Sequence, residues 1–344
     1  MNGLSLEKGC ALLITDRASR FYFSSIDIDE GIMLVGEKKV YFTDARYFHA
    51  VKYKLAKMGI IPVLYTGLDC VEKCLKEMQI VSIGVDYTKT TLDFYEKIKM
   101  LSSDIFDATV AIKSLRQVKT EKEISLIKKA CSITEKAFKV AISHLKEGVT
   151  EQEIRQILIK EYKKHGANGE AFDSVVAFSK NSAIPHHSTG KTKLKANSVV
   201  LIDTGCLYKG YSSDLTRTLY FGTPTKDFIS NYNAVLSAHN KAKHQITDKT
   251  RVSDADSFAR EELKRFGLDK YFTHSLGHGV GIEIHEAPTL SKLGKGILRE
   301  NTVFTIEPGV YFNKKYGIRI EDTVYIRNGK VKSLFTLDKN LKIL

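Results

Sequence analysis

The chain has 344 residues, 43% hydrophobic and 27% charged, with only 23 Gly and 5 Pro, which excludes collagen-like, low-complexity and disordered chains and predicts two domains at roughly 150 residues each. Lys and Arg number 53 against 40 Asp and Glu, a formal charge of +13, but the charge is spread along the chain without an aromatic-interleaved stripe and reads as a solvated surface rather than a nucleic-acid interface. No apolar run approaches the roughly 18 residues of a membrane helix, and the early run Ala11-Leu12-Leu13-Ile14 is too short and too late for a signal peptide, so the expectation is a cytoplasmic protein without membrane contact.

In chain order, residues 10–16, 21–25, 31–36 and 39–43 read as short strands, with Gly36-Glu37-Lys38 as a turn between the last two. Asp44 is placed to cap a helix that Gly59 closes. Apolar runs near 60–65, 80–85 and 108–112 alternate with helical stretches near 69–78 and 91–101, the pattern of a small α/β domain. Thr120 with Glu123 forms a capping box ahead of Ile124, Ile127, Ala130, Ile133, Ala137, Ala141 and Leu145, which repeat at helical spacing up to Gly148. Thr150 with Glu153 opens a second helix, and Ser253 a third that ends near Phe266. Strand-like pieces at 173–178, 198–203, 214–221, 301–306, 310–312 and 318–326 make the second half α+β with much antiparallel sheet. Cys10, Cys70, Cys74, Cys131 and Cys206 are odd in number and lack a CxxC spacing, so reduced, structural thiols are expected.

The residue types that carry chemistry cluster in the second half. An apolar strand ends at Asp203, a turn comes next, and Asp214 opens the following strand. In a hairpin centred near Leu207–Tyr208 the two carboxylates would face each other a few ångströms apart, and a divalent cation between them would relieve their repulsion. His274, His278 and His285 fall among Gly277, Gly279 and Gly281. Those glycines argue against a helical HExxH zinc site and allow close backbone approach to a cluster. Glu307 precedes Pro308-Gly309, and Glu321 comes after Arg319 with strand alternation. The loop Asn181–His187 ends in two histidines, His186 and His187. Each motif alone also fits an ordinary strand-end acid, ion pair or surface histidine. Together, Asp203, Asp214, His278, Glu307 and Glu321 carry about −4 with a neutral imidazole, which two divalent ions would balance. The oxygen-rich donor set suits Mn²⁺ better than a thiolate zinc site does.

These segments resemble the M24-type metallopeptidases, specifically the Xaa-Pro aminopeptidases (aminopeptidase P) and Xaa-Pro dipeptidases (prolidases). Tyr41–Tyr47 resembles the family's N-terminal domain, and the region from about 118 onward its catalytic domain. The resemblance implies a creatinase-like α/β domain over 1–117 and a pita-bread catalytic domain over 118–344. It implies two divalent metals, Mn²⁺ first and Co²⁺ or Zn²⁺ as alternatives. Asp203, Asp214 and Glu321 would hold one metal, and Asp214, His278, Glu307 and Glu321 the other. A metal-bridging hydroxide would attack the scissile carbonyl of proline-containing peptides, and the protein would be a homodimer. Glu307 would carry the proton, His285 would stabilise the oxyanion, and His186 would bind substrate and shuttle protons. Arg319 would orient Glu307 or Glu321, His274 would lie next to the metals, and Tyr311 would sit on the same strand. Phe178-Ser179 stands where the family often has a small residue and Gly, which would shift specificity at the substrate-side loop.

Two other readings remain at this point. A methionine aminopeptidase would use the same five ligands, although an N-terminal region of about 115 residues argues against the bacterial form. A non-catalytic binding protein of the same fold is disfavoured because all five positions keep an acid or His. Creatinases share the fold without the metal set.

Overall fold

Buried apolar runs in the first third of the chain pair into one mixed sheet, ordered Ile60–Leu64, Lys39–Thr43, Ile32–Val35, Cys10–Ile14, Ser82–Val85, Asp104–Asp107. The structure is a computed structural model, described for residues 6–102 and 104–344. Inner strands such as Ile32–Val35 are buried at every position because both sheet faces are covered, which removes the polar alternation of a one-sided sheet. Leu12, Met33, Tyr41 and Leu55 form the core on one face, and Leu13, Leu34, Phe42 and Leu75 that on the other. Asp44 caps the helix Ala45–Lys57 by accepting from Arg46 N at 2.8 Å. This sheet and its helices form one unit, ending at Arg116; a second spans Gln117–Leu344.

The second unit contains two packed helix pairs, Glu121–Ser143 with Glu151–Lys164 and Lys226–Gln245 with Val252–Arg265. Both predicted capping boxes are formed. A three-stranded antiparallel sheet runs Leu215–Phe221, Ser198–Thr204, Val175–Phe178. A five-stranded sheet runs Glu286–Leu290, Gly277–Gly279, Val303–Ile306, Asp322–Arg327, Lys330–Ser333, and a hairpin joins Gly309–Phe312 to Tyr316–Arg319. No helix among the described residues is long and apolar enough to cross a membrane.

Four expectations need correction. Residues 21–25 fall at the end of a helix, Arg17–Ser24, started by Asp16, whose side chain accepts from Ser19 N; the aromatic look of the run hides this cap. Of residues 108–112, all but Ala108 lie in the helix Thr109–Gln117, and the strand precedes them as Asp104–Asp107. The stretch 318–326 is split into two strands that belong to different sheets. The helix Lys226–Gln245 lies where the sequence pattern predicts no element: Ser, Asn and Tyr dilute its helix propensity, although Thr225 caps it and Phe228, Tyr232, Val235, Ala238 and Ala242 recur on its buried side.

Candidate metal centre

The hairpin between Asp203 and Asp214 sets the geometry of one wall. Thr204 pairs with Leu215 and Asp203 with Thr216, so the two aspartates are diagonal rather than directly opposed. The register is set by the turn, which falls at Lys209-Gly210 (φ 50° and 84°) instead of Leu207–Tyr208. Left-handed backbone at both central residues is what a two-residue hairpin turn requires, and Gly210 supplies it at no steric cost. Diagonal neighbours still share a sheet face. The opposite wall is the strand Gly277–Gly279, where a Cβ on Gly277 would stand 2.0 Å from Thr305 O and one on Gly279 2.2 Å from Ala287 O. The glycines therefore let the His278 strand pack against its neighbours, as the sequence suggested.

Asp203, Asp214, His274, His278, His285, His186, Glu307, Arg319 and Glu321 all line one cavity of about 670 Å³. Tyr311 stands behind it. Ligating atoms of Asp214, His278 and Glu321 fall within 4.8 Å of one another. His278 Nε2 is 3.5 Å from Asp214 Oδ2 and 3.3 Å from Glu307 Oε1. Arg319 donates from Nη2 to Asp203 Oδ2 at 2.6 Å, from Nη1 to the Tyr311 hydroxyl at 2.7 Å and from Nε to Thr216 Oγ1 at 3.1 Å. Thr216 in turn donates to Glu321 Oε2 at 2.6 Å. Arg319 is thus tied directly to Asp203, and reaches Glu321 through a hydroxyl. The Tyr311 hydroxyl also meets His274 Nε2 at 3.0 Å. His285 stacks edge-on against His278, ring centres 4.2 Å apart, and His186 is exposed on the wall.

The electrostatics arise from burying like charges together. Burial pushes the Glu307 carboxyl up to about 8, Arg319 opposing and Asp203 adding to the shift. Burial, then neighbouring carboxylates, hold Asp214 and Glu321 well above the ordinary range. Burial lowers His278 to about 4 and His274 to about 3, so both imidazoles are neutral near pH 7; a neutral imidazole is the metal-binding form. Asp203 Oδ1 is buried and has no hydrogen-bond partner. A buried carboxylate oxygen without a donor is costly, and here it sits in a cluster whose only nearby guanidinium, Arg319, already serves the other oxygen. Four carboxylates, one neutral imidazole and an unsatisfied oxygen fit divalent metal ions as their missing counter-charge.

Several supporting residues carried no motif signal. Thr216, Thr305 and Thr323 place the acids: Thr305 Oγ1 donates to Glu307 at 3.1 Å and accepts from His278 N at 3.0 Å, and Thr323 Oγ1 accepts from Asp214 N at 3.1 Å. The position of Thr216, two residues beyond Asp214 on one strand face, was the available clue. Glu151, with no exposed surface, accepts from Phe178 N, Asn181 Nδ2, His187 Nε2 and Gly190 N, and so ties down the loop that carries His186. Lys119 forms a buried 2.8 Å ion pair with Glu286, the neighbour of His285.

A cavity walled by these acids and histidines has the donor set of a metal-dependent hydrolase. Residues 125–328 match metallopeptidase family M24, and residues 7–118 match the Creatinase/Prolidase N-terminal domain. The chain belongs to metallopeptidase family M24. It is 34% identical over 337 residues to an Xaa-Pro dipeptidase of Pyrococcus horikoshii, covering 96% of this chain and 94% of that one. Its fold is similar to an Xaa-Pro dipeptidase from Bacillus anthracis (TM-score 0.91, 31% identity, 97% of this chain and 95% of that one). It is equally similar to an X-Pro aminopeptidase from Thermotoga maritima (TM-score 0.90, 32% identity, 97% and 95%).

Proposed function

We propose that this metallopeptidase hydrolyses the bond between an N-terminal residue and proline, as an Xaa-Pro aminopeptidase that also accepts Xaa-Pro dipeptides. The observation that carries this reading is the joining of Asp203, Asp214, His278, Glu307 and Glu321 with His186, His285 and Arg319 around one cavity. Relatives of both the dipeptidase and the aminopeptidase kind support Xaa-Pro bonds as the substrate class.

In this reading the five ligands hold two divalent ions, Mn²⁺ fitting the donor set best, within a catalytic domain of residues 118–344 that is preceded by an N-terminal domain of residues 1–117. Bound there, such ions supply Lewis acidity to the scissile carbonyl and lower the pKa of the attacking water. Glu307 accepts the water's proton and returns it to the leaving nitrogen. That return matters because the bond before proline is a tertiary amide, and its nitrogen must be protonated to leave as an amine. His285 donates a hydrogen bond to the developing oxyanion, and His186 binds substrate on the exposed wall. Arg319, held by Tyr311, fixes Asp203. His274 fixes Tyr311. The enzyme acts on proline-containing peptides in the cytoplasm as a homodimer; light scattering that found only monomer would contradict the last point.

The test is hydrolysis of Ala-Pro-Ala by metal-stripped protein before and after Mn²⁺, beside Asp214→Ala. Activity restored by metal and absent in the variant supports the reading. Turnover of Met-Ala-Ser but not Ala-Pro-Ala replaces it with a methionine aminopeptidase, and silence with no metal bound replaces it with a binding protein.

A further inference from the structure

The cavity has a second guanidinium away from the carboxylate cluster. Arg155, on the helix Glu151–Lys164, lines it together with Asp173. Glu170 grips Arg155 twice, from Nε at 3.1 Å and Nη2 at 2.8 Å, and Glu170 Oε1 also accepts from Ser174 N at 3.0 Å. Asp173 takes a further contact from Arg155 Nη2. The two acids differ in setting. The Glu170 side chain is 13% exposed, whereas that of Asp173 is 90% exposed and faces solvent. Glu170 therefore fixes where the guanidinium points, and Asp173 sets a second carboxylate against the same guanidinium, so that the three side chains together carry −1.

The charge of the substrate just beyond its proline ring decides how it meets this pair. A free Xaa-Pro dipeptide brings a carboxylate one bond from the ring. A longer peptide brings a neutral amide there. Among the described residues that line the cavity, the only Lys or Arg side chains are Arg155 and Arg319, and Arg319 is committed to Asp203 and Tyr311. A dipeptide carboxylate then meets a guanidinium already outweighed by two carboxylates, and such a like-charge approach is penalised.

We propose that the Arg155–Asp173 pair sets substrate length: with Asp173 seated on Arg155, the site favours peptides that continue past proline over free Xaa-Pro dipeptides. The inference rests on the Xaa-Pro reading above. Asp173 acts as an internal carboxylate that offsets the positive charge a dipeptide would need.

The experiment compares kcat/KM of the Mn²⁺-loaded enzyme on Ala-Pro, Ala-Pro amide and Ala-Pro-Ala. The amide removes the charge without adding length. The wild type is expected to favour the amide and the tripeptide over Ala-Pro by about tenfold, the scale of one poorly screened like-charge contact. In Asp173→Asn the amide-to-dipeptide ratio falls to about one or two, mainly through a lower KM for Ala-Pro, and adding Arg155→Gln brings the ratio back. Asp173 is exposed, so its substitution leaves the fold intact. A wild type that cleaves Ala-Pro as fast as the amide overturns the proposal, and so does an Asp173→Asn variant that shifts both substrates equally. Failure on all three, with Met-Ala-Ser cleaved, overturns the Xaa-Pro reading itself.

Discussion

Replacing Glu151 tests whether the loop that carries His186 is held by one buried carboxylate. Its Oε1 accepts from Phe178 N at 2.9 Å and Asn181 Nδ2 at 2.8 Å, and its Oε2 from His187 Nε2 at 3.0 Å and Gly190 N at 3.1 Å. Phe178 is 1% exposed, so its N–H has no access to water once the acceptor is gone. Asn181 and His187 are only partly buried, and water can replace the acid there. Hydrogen bonds to a charged group are each worth about 1.5–3 kcal/mol, and an orphaned buried donor costs about 1–3 kcal/mol. With the two side chains discounted for solvent, Glu151→Ala should cost about 3–5 kcal/mol, and Glu151→Gln, which keeps one acceptor oxygen, about half as much. The chain has no Trp, so urea unfolding is monitored by far-ultraviolet circular dichroism at a common m-value. Peptidase kinetics on the same variants should show a fall in kcat/KM, because the loop carries His186, which lines the cavity. A loss under about 1 kcal/mol in Glu151→Ala, with unchanged kinetics, refutes the argument that this acid organises the loop.

Other buried groups give three more expected outcomes. Lys119→Met removes the ammonium that faces the Glu286 carboxylate in a buried pair (side chains 1% and 6% exposed), and should cost about 3–5 kcal/mol in urea midpoint-derived stability; Lys119→Arg should recover part of it. Metal binding should release protons. Burial keeps Glu307 at about 8 and, with neighbouring carboxylates, raises Asp214 and Glu321 in the metal-free protein, so Glu307 holds a proton at pH 7 that Mn²⁺ must displace. Titration calorimetry in two buffers of different ionisation enthalpy should differ, and the affinity should rise with pH; identical enthalpies would contradict this. His239 is buried with both ring nitrogens unpartnered, and burial lowers it from 6.5 to about 3. Because the folded value lies below the unfolded one, the titration of His239 costs nothing above pH 6.5, where the ring is neutral in both states, and as pH falls from 6.5 towards 3 the unfolded chain takes up a proton that the folded one does not, so stability falls. Each pH unit in that window is worth about 1.4 kcal/mol, so the advantage of His239→Leu over the wild type should grow as pH is lowered from the unfolded imidazole value by one or two units, measured by thermal unfolding.

What could be read from the sequence divides along the range of the interaction that encodes it. The capping boxes at Thr120 and Thr150, the hairpin, and the glycines flanking His278 are local rules, satisfied by residues within a few positions of one another. The acids and histidines of the centre stood out because their types are costly to bury without a partner, so their density near strand ends was itself a signal. What escaped were contacts whose two halves lie far apart in the chain. Thr216 joins Arg319 to Glu321 across more than a hundred residues, Lys119 finds Glu286, and Glu151 collects donors from a loop that begins 27 positions later. A threonine or a lysine in a sequence is ordinary, and only the fold decides which becomes indispensable. The register error at Asp203 and Asp214 is local instead. Pairing the two acids by charge alone placed them directly opposite, whereas the backbone freedom of Lys209-Gly210 fixed the turn and displaced them to a diagonal. That displacement kept both on one face, so the chemistry could be inferred correctly from a slightly wrong geometry: the side-chain period of a strand tolerates an error of two residues and not of one.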